Sequence, residues 1–582
     1  MSTTVADRMV EALAASGVRR VHGLPGDSLN GFTDALRRNG TVGWTHVRHE
    51  ETAAFAAAGE ASLTGHLAVA AGSCGPGNLH LINGLYEAQR SRVPVLAIAA
   101  HIPSEEIGSE YFQETHPQDV FRECSVYCEL ASTPEQVPRL RHIAMRMAVE
   151  RGGVSVLVVP GDMLLAALGD AGAFARPVLR TASHVTPDGD ALAEAAGVLN
   201  DADRVTILGG AGCQGAHAEV MALADALRSP VVHSLRGKEH LEYDNPYDVG
   251  LTGLIGYSSG YRAMEHCDAL LMLGTDFPYR PFYPPPDVPV VQVDIRGEHI
   301  GRRTGVTVPL VGTVKDTAAA LLPLLRPKTD GAFAEKLTKH YRRVRSHLDR
   351  LGEARPTDGP MHPQHVAAAV DRLAADDTVF TADVGTPTVW AARYLTMNGR
   401  RRLIGSFNHG SMANALPQAI GAQSAAGRRR QVVALCGDGG LSMLLGDLIT
   451  LRHLRLPVKV VVFNNGTLSF VELEMKAGGI VNYGTDLDDL DFAAVARSAG
   501  IFGVRVDRAG QLDDALREAL ALDGPAVVDA RTASQELSLP PNLTYDQVKG
   551  FSLFATRTVL SGQGDELLEL AKTNLHELPL LR

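Results

Sequence analysis

An aspartate in a glycine loop and a pair of asparagines are the residues best suited to chemistry in this sequence. Asp438 lies in Gly437-Asp438-Gly439-Gly440, and Asn464-Asn465 ends the next apolar run. Carboxylate and amide oxygens are hard ligands suited to Mg²⁺, which usually retains phosphate oxygens in its shell. Glycines let backbone N–H groups approach an anion closely, and the start of a helix favours phosphate. These residue types predict a diphosphate held through a divalent ion.

The elements around these groups must place them together. Residues 432–436 and 458–463 have the apolar, β-branched character of buried parallel strands. A helical pattern runs from residue 441 to about 453, before Pro457. A lone Gly-Asp-Gly is more often a turn, but here the two polar groups close neighbouring strands. Open α/β sheets bind ligands at that edge, so the pattern favours a site.

The composition bounds the class of protein. With 582 residues, the chain is expected to form three or four domains, and 45% hydrophobic and 21% charged residues are ordinary for a globular enzyme. The net charge of -11 argues against a nucleic-acid binder. The six cysteines have no Cys-x-x-Cys spacing and are expected to be reduced thiols of a cytosolic protein. Asp7 and Glu11 argue against a secretion signal, and no apolar run is long enough to span a bilayer.

Helical and strand patterns alternate along most of the chain, which predicts an α/β fold of three doubly wound parallel-sheet domains. The predicted domains are 1–182, 183–335 and 336–532, followed by a C-terminal tail, 533–582, where the alternation stops. Residues 327–360, rich in Lys, Arg and Pro, are interpreted as a charged connector.

Several motifs along nearly the whole chain carry a resemblance to a known family. They include RHEETAAFAA (48–57), GSCGPGNLHLINGL (72–85), YFQETHPQ (111–118) and GSFNHGSMANALPQA (405–419), besides Gly-Asp-Gly and Asn-Asn. The chain resembles the thiamine-diphosphate (ThDP) enzymes that include pyruvate oxidase and acetohydroxyacid synthase, and most of all the bacterial quinone-linked pyruvate oxidases. The resemblance implies a pyrimidine-binding, a flavin-binding and a diphosphate-binding domain in that order, with ThDP, Mg²⁺ and FAD as cofactors.

The resemblance assigns the ThDP site. Glu50 matches the glutamate that hydrogen-bonds N1′ of the aminopyrimidine and favours the imino tautomer that deprotonates C2. Without the resemblance, an acid at a helix start is usually solvated. Met412 matches the apolar wedge that bends the cofactor, although a buried methionine alone is core filler. The metal ligands implied are Asp438, Asn465 and the Thr467 carbonyl. The other cofactor contacts implied are Ser411, Ala413, Gly439, Gly440, Leu468, Phe470 and Val471.

Substrate contacts follow from the same resemblance. Phe112 and Gln113 match positions that border the pocket for a small keto acid, although ordinary loop packing would also explain them. Phe470 and Glu474 are expected to reach over the reacting centre with Val471. His80 and His116 are interpreted as packing residues, and Glu51 as a surface charge. Ser469 replaces a glycine found in closer relatives, which puts the mobility of its loop in doubt.

The middle third predicts a flavin site. Its loop Gly209-Gly210-Ala211-Gly212 follows a strand but lacks a full Gly-x-Gly-x-x-Gly, and Asp294 ends a strand where an acid can bind a ribose hydroxyl. Structural turns would also explain these glycines, and some relatives keep this domain without a flavin or without redox use. The resemblance assigns FAD to Thr252, Gly253, Leu254, Ile255, Gly274, Thr275, Asp276, Phe277, Pro278 and Asp294.

The resemblance implies oxidative decarboxylation of pyruvate to acetate and carbon dioxide, with electrons passing through FAD to a membrane quinone. A non-redox carboligase or decarboxylase such as acetolactate synthase, and an oxygen-using oxidase that forms acetyl phosphate, remain alternatives. A scaffold with a decayed site is disfavoured because Glu50, Asp438 and Asn465 are all present. A homotetramer is expected, with Glu50 of one chain serving the cofactor held by Asp438 and Asn465 of another.

The tail resembles a regulatory, lipid-binding segment. Leu567, Ala571, Leu575 and Leu578 form one helical stripe, and the polar face is mainly acidic. That charge is the wrong sign for an anionic bilayer and favours packing on the protein itself, whereas the resemblance favours a phospholipid surface. The expected location is cytoplasmic, with peripheral attachment to the inner face of the cell membrane left open.

Overall fold

A computed structural model describes residues 3–169, 174, 176–353, 360–534 and 536, and in the tail residues 553–555, 557, 558, 570 and 574. The predicted tail stripe of Leu567, Ala571, Leu575 and Leu578 lies outside the described residues. Within the described part of the chain, every helix is too short or too polar to cross a bilayer.

The first domain is built on a parallel sheet of six strands in the order β2-β1-β3-β4-β6-β5. Its central strands are buried on both faces because helices cover both sides, which explains their continuous apolar runs. The strands are β1 (Arg20–Gly23), β2 (Gly43–His46), β3 (Ala68–Gly72), β4 (Val95–His101), β5 (Tyr127–Leu130) and β6 (Val154–Pro160). The helices are α1 (Val5–Ala15), α2 (Asn30–Asn39), α3 (Glu50–Thr64), α4 (Pro76–His80), α5 (Ile82–Ser91), α6 (Pro117–Val120), α7 (Val137–Arg151) and α8 (Gly161–Leu165).

The middle domain has a second six-stranded parallel sheet, in the order β9-β8-β7-β10-β11-β12. Counted within the domain this is 3-2-1-4-5-6, the order of dinucleotide-binding folds. The strands are β7 (Val205–Gly209), β8 (Val231–His233), β9 (Asp248–Leu251), β10 (Ala269–Leu273), β11 (Val290–Asp294) and β12 (Val308–Val311). The helices are α9 (Gly189–Asp201), α10 (His217–Leu227), α11 (Lys238–Leu241), α12 (Ser258–His266), α13 (Val314–Leu321) and α14 (Ala332–Gly352).

The third domain repeats the topology of the first, with the strand order β14-β13-β15-β16-β18-β17. Its strands are β13 (Val379–Ala382), β14 (Arg402–Gly405), β15 (Val432–Gly437), β16 (Lys459–Asn464), β17 (Phe502–Val506) and β18 (Ala526–Arg531). Its helices are α15 (Pro363–Leu373), α16 (Thr386–Tyr394), α17 (Ala415–Ala426), α18 (Asp438–Met443), α19 (Leu448–Leu454), α20 (Ser469–Ala477), α21 (Phe492–Ser498) and α22 (Ala509–Ala521). The predicted fold of three parallel α/β sheets is confirmed.

One local prediction was wrong. The helix expected from residue 441 begins already at Asp438 and is interrupted after Met443, where a 3-10 turn over Leu445–Asp447 precedes α19. The interruption lets the Asp447 carboxylate accept hydrogen bonds from the first domain. The expected connector contains the long helix α14, because Leu337, Leu348 and Leu351 bury one of its faces.

Helices α3 and α17 join the first and third domains. They occupy equivalent places in the two repeated topologies and cross at two glycines. A Cβ at Gly421 would lie 1.8 Å from the carbonyl oxygen of Ala56, and one at Gly59 would lie 2.3 Å from that of Gln418. Only glycine permits this backbone approach. The crossing fixes α3, and therefore Glu50 at its first turn, against the third domain.

Candidate active site

The carboxylate of Asp438 lies in a cradle of backbone N–H groups at the carboxyl end of β15. Gly439 donates to its Oδ1 at 2.8 Å, and Asn465 and Gly466 donate to its Oδ2 at 2.9 and 2.7 Å. Asp438 is only 7% exposed. Burial raises the pKa of this carboxyl, and the three hydrogen bonds oppose that rise. Among the described residues no basic side chain forms an ion pair with it, so a bound cation would supply the missing positive charge.

The other predicted metal ligands lie beside Asp438. Oδ1 of Asn465 accepts a hydrogen bond from the Thr467 N–H at 3.1 Å, and Nδ2 of Asn465 donates to Oγ of Ser469. This contact orients the amide so that its oxygen, the hard donor, faces the turn that carries the Thr467 carbonyl. The donor set of a carboxylate, an amide oxygen and a carbonyl fits Mg²⁺. Ser469 therefore orients the side chain of Asn465.

The glycine loop meets the loop that carries Met412. A Cβ at Gly439 would lie 2.8 Å from Cδ2 of Leu468 and 3.2 Å from Cε of Met412. A Cβ at Gly440 would lie 2.4 Å from Oδ2 of Asp383. Ala413 has a φ of +60°, a backbone conformation that is uncommon outside glycine and often marks functional sites. The structure thus brings the predicted ThDP contacts of three separate loops together.

Helix α20 begins two residues after Thr467. Phe470 is partly buried against the core of the third domain, whereas Val471 and Glu474 are exposed. Glu472, which sequence reasoning missed, is buried and accepts hydrogen bonds from the Thr467 and Thr485 hydroxyls. Its carboxylate also forms a 3.2 Å ion pair with Lys476. Glu472 therefore positions the turn that carries the Thr467 carbonyl.

Glu50 belongs to a second cluster, in the first domain. It is the first residue of α3 and is 5% exposed. Its Oε2 lies 3.0 Å from Nδ1 of His80, and a Cβ at Gly77 would lie 3.0 Å from its Oε1. His80 was interpreted as a packing residue, but its side chain is 46% exposed and bonds the predicted catalytic carboxylate. The spacing to Glu50 offers no local pattern that could have revealed this contact.

Of the two predicted substrate residues, Gln113 packs against the glycine loop that contacts Glu50. Gln113 has a φ of +64° and packs on Gly75, and its Oε1 accepts a 3.3 Å hydrogen bond from the Cys74 thiol. Phe112 is 76% exposed. The structure therefore places Gln113 beside the loop that contacts Glu50, and leaves the Phe112 ring open at the surface of the single chain.

The two clusters are linked through Asn83 on α5. Its Nδ2 donates to Oε1 of Glu51 at 2.7 Å and to Oγ of Ser411 at 3.0 Å. Glu51 is thus a hydrogen-bonded interface residue and not the surface charge expected. Asp447 adds a second link, since it accepts bonds from the Arg48 N–H and the Thr52 hydroxyl. That Glu50 serves a cofactor bound by a second chain stays a prediction.

Asp383 is a further residue missed by sequence reasoning. It follows β13 and is 1% exposed, and its carboxylate accepts bonds from the N–H groups of Ala415 and Gly437. Burial raises the pKa of this carboxyl to about 7. Because it contacts both loops of the diphosphate-binding region, it holds the start of α17 and the glycine loop in register.

Glu87 on α5 connects all three domains. Its Oε2 accepts a 2.6 Å hydrogen bond from Oγ of Ser406, which in turn accepts one from the Ser411 N–H at 3.0 Å. Its other oxygen accepts from the Ser91 hydroxyl, and Arg236 of the middle domain donates to the Ser91 carbonyl. Burial raises the pKa of Glu87 to about 7, against the hydrogen bonds and the charge of Arg236. The loop that carries Ser411 therefore rests on a carboxyl whose pKa is raised to about 7.

Glu87→Gln should remove part of the pH dependence of stability. Between pH 4.5 and about 7 the folded chain retains a proton on Glu87 that the unfolded chain has released. The free energy of unfolding of the wild type therefore falls as pH rises through this window, by about 3 kcal/mol from this group. The variant lacks this titrating group. Its free energy of unfolding, relative to that of the wild type, should therefore rise between pH 5 and pH 8, as measured by urea unfolding. Glu123 is an exposed acid near α5. The control variant Glu123→Gln should show no such rise in relative stability.

The predicted FAD residues lie at the carboxyl edge of the middle sheet, where the strand order reverses. The loops after β7 and β10 touch: a Cβ at Gly210 would lie 2.5 Å from Cβ of Thr275, and one at Gly212 would lie 2.6 Å from Cα of Gly274. Asp294, 3% exposed, ends β11 and accepts from the Arg296 N–H at 2.9 Å. This crevice is where such sheets bind dinucleotides.

Other predicted FAD residues come from the segment after β9 and the loop after β10. The hydroxyl of Thr252 is buried without a hydrogen-bond partner in the described part of the chain, and Gly253 has a φ of +99°. Leu254 and Ile255 follow, and Ile255 packs on the third domain. Asp276 forms an ion pair with Arg92 of the first domain at 3.1 Å, and Phe277, next to Pro278, packs on Tyr279. A buried hydroxyl after β9 with no hydrogen-bond partner among the described residues fits a bound polar ligand such as FAD.

Comparisons with known proteins match all three domains. The N-terminal TPP binding domain of thiamine pyrophosphate enzymes matches residues 3–121, the central domain matches 192–321, and the C-terminal TPP binding domain matches 383–530. The first and third matches contain the Glu50 cluster and the Asp438 cluster, respectively. The third match starts at Asp383, the acid that joins the two loops.

Individual relatives cover most of the chain. YdaP of Bacillus subtilis, whose name describes it as thiamine pyrophosphate-containing, is 38% identical over 98% of this chain and 98% of its own length. The pyruvate oxidase of Lactiplantibacillus plantarum is 28% identical over 90% of this chain and 87% of its own. The acetolactate synthase of Arthrospira platensis is 28% identical over 92% and 95%. With three domain matches and a relative of this similarity, the chain belongs to the thiamine pyrophosphate enzyme family.

Proposed function

We propose that this protein catalyses the oxidative decarboxylation of pyruvate to acetate and carbon dioxide, and passes the electrons through FAD to a membrane quinone. The observation that carries the redox half of the proposal is the crevice of the middle domain. FAD binding is supported by the 3-2-1-4-5-6 strand order, by the glycine loops after β7 and β10, and by the Thr252 hydroxyl, which has no hydrogen-bond partner among the described residues. The sequence motifs typical of quinone-linked pyruvate oxidases point to the same substrate and acceptor.

Different residues of the chain would serve cofactor binding and proton transfer. When bound, ThDP supplies an electron sink for decarboxylation, and FAD accepts two electrons. Asp438, Asn465 and the Thr467 carbonyl would hold the diphosphate through Mg²⁺, and Met412 would fix the conformation of the coenzyme. Glu50 would hold a proton at the pyrimidine N1′ atom, with His80 on its second oxygen. Gln113 would orient the keto acid.

A carboligase is the second candidate, because the acetolactate synthase relative matches at the same identity as the pyruvate oxidase. Such an enzyme would use the same ThDP site but join two keto acids without an electron acceptor. An oxygen-using oxidase that forms acetyl phosphate would also use FAD. These activities share Glu50 and Asp438 and differ in what leaves the site, so product analysis separates them.

Exposed apolar side chains support an assembly in which active sites lie between chains. Phe112, Val471, Ile480 and Tyr483 are 76%, 41%, 54% and 89% exposed. Phe112 belongs to the first-domain cluster, and the other three lie on or after α20 of the third. Large apolar side chains on both catalytic surfaces are typical of interfaces. We therefore propose the homotetramer of the family, with the tail bringing it to a phospholipid surface and quinone on the inner face of the membrane.

Anaerobic mixing with pyruvate tests the proposed function. The purified protein should contain FAD, and pyruvate should bleach its absorbance only when ThDP and Mg²⁺ are present. A soluble quinone should restore the flavin colour quickly, and acetate should form in proportion to carbon dioxide.

The products distinguish the candidates. Acetolactate formed without flavin bleaching would overturn the redox proposal in favour of the carboligase. Rapid reoxidation by air with acetyl phosphate as the product would identify the oxygen-using oxidase. A protein purified without flavin that still releases carbon dioxide would leave only the non-redox activities.

A further inference from the structure

A cavity of about 400 Å³ opens at the amino edge of the third-domain sheet and has no part in the chemistry above. Three arginines line it, Arg428, Arg452 and Arg455, together with Phe502, Asp523 and Pro525. The cavity lies where β17 and β18 begin, beside the first residue of β16. The Asp438 site lies at the opposite ends of the same strands, roughly 17 Å away along β16.

The charge of this cavity is unbalanced. Asp523 forms a 2.7 Å ion pair with Arg428, whereas the guanidinium groups of Arg452 and Arg455 form no ion pair with any residue in the described part of the chain. Both arginines are exposed and line the same opening. The buried ammonium of Lys459 lies behind the wall, where it donates to the carbonyls of Leu522 and Gly524. In a chain of net charge -11, this is a local concentration of positive charge.

The walls of the cavity are built by fixed backbone. Arg428 donates to the carbonyls of Arg455 and Asp523, so it ties the end of α19 to the turn before β18. Gly500 completes the floor, and a Cβ there would lie 3.1 Å from Nε of Arg452. Arg428 therefore holds the cavity walls together, whereas the guanidinium groups of Arg452 and Arg455 donate no hydrogen bond to any residue that the structure describes.

We propose that this cavity binds a small phosphorylated molecule, with its phosphate groups on Arg452 and Arg455 and its organic part against Phe502 and Pro525. Guanidinium groups bind phosphate oxygens in pairs, and arginine is the usual residue for that recognition. The volume lies in the range of small-molecule sites and exceeds what a single phosphate would fill. An aromatic wall beside the arginines suits a nucleotide or a similar ring-bearing phosphate. The site is independent of the proposed catalytic function.

Calorimetric titration tests the proposal on the full chain, loaded with ThDP, Mg²⁺ and FAD and freed of excess cofactor. The probes are ADP, inorganic pyrophosphate and adenosine. One ADP should bind per chain and pyrophosphate more weakly, whereas adenosine should give no heat. The double variant Arg452→Gln/Arg455→Gln should weaken ADP binding about 100-fold, since each guanidinium contact is worth about tenfold. Raising the salt concentration should weaken binding in the wild type.

Matched variants separate the site from general charge. Arg429→Gln removes an adjacent arginine that does not line the cavity, and it should change ADP affinity by less than about threefold. The conservative pair Arg452→Lys/Arg455→Lys keeps the charge without the paired donors and should give an intermediate affinity. Thermal unfolding should show that all three variants remain folded, because these side chains are exposed.

The outcomes distinguish a soluble phosphorylated ligand from a lipid headgroup. Failure of ADP and pyrophosphate to bind, or equal binding by the double glutamine variant, would overturn the proposal. Binding of phosphatidylglycerol vesicles that depends on Arg452 and Arg455, without any ADP binding, would assign the cavity to a lipid headgroup and likewise overturn it. ADP binding that the double variant loses and Arg429→Gln retains would establish the site.

Discussion

Glu50→Gln should lower pyruvate turnover by at least about 100-fold while ThDP remains bound, because the amide keeps the shape of the side chain but cannot hold and release the proton at N1′. The carboxylate is 5% exposed, and its Oε1 faces the glycine loop while its Oε2 lies 3.0 Å from His80. Oε1 accepts no hydrogen bond from any residue that the structure describes, so it is the oxygen proposed to bind N1′. Steady-state assays with a quinone analogue, together with ThDP titration by calorimetry, separate lost chemistry from lost binding.

The neighbouring acid offers a matched control. Glu51 lies on the same first turn of α3, and its Oε1 accepts a hydrogen bond from Asn83 that a glutamine oxygen can also accept. Glu51→Gln should therefore retain turnover within about threefold of the wild type. Equal losses in both variants would indicate damage to the α3 turn. Near-normal turnover in Glu50→Gln would show that the catalytic assignment is wrong.

The strands and their polar ends could be predicted from the sequence because their signals are local. The runs around 432–436 and 458–463 are apolar and β-branched and are followed by polar groups, and the structure forms β15 and β16 there. Glu50 begins α3, since an acid followed by an alanine-rich segment favours a helix start. The prediction that Asp438 lies beside Asn465 required only that the two strands be parallel neighbours.

The residues that hold the site in place could not be predicted in this way. Glu87, Asp383 and Asp447 each act through partners that are distant in the chain, such as Ser406 and Arg48. Their sequence neighbourhoods look like ordinary helix or loop segments. The break between α18 and α19 has the same origin, because the contacts of Asp447 with the first domain outweigh local helix propensity.

The strand order of the middle sheet could not be predicted from the sequence. The alternation of strands and helices predicts a parallel sheet, but many strand orders share that pattern. Only the structure shows that β7 and β10 are neighbours, which brings the glycine loop of β7 against Gly274 and Thr275. The loop lacks the full dinucleotide fingerprint, so its spacing alone was weak evidence. The contact between the two loops therefore could not be predicted from the spacing of the glycines.

Asp438→Asn should abolish the stabilisation of the protein by ThDP and Mg²⁺. In the wild type, cofactor at 100 times its dissociation constant should raise the free energy of unfolding by about 2.7 kcal/mol. The variant loses the only anionic ligand proposed for the metal, so its affinity should fall by more than about 100-fold and this gain should vanish. Thermal unfolding with and without ThDP and Mg²⁺ measures the effect without reference to turnover.

Asp529→Asn separates this role from the general cost of changing a buried acid. Asp529 lies on β18, next to β16, and is fully buried, and burial raises its pKa as it does that of Asp438. Its oxygens accept from the Asn464 side chain and from the Phe492 N–H, neither of which is a predicted metal ligand. This variant should unfold more readily but keep the full gain from ThDP and Mg²⁺. If Asp438→Asn kept that gain as well, Asp438 would not be a metal ligand, since an asparagine brings no charge to neutralise the ion.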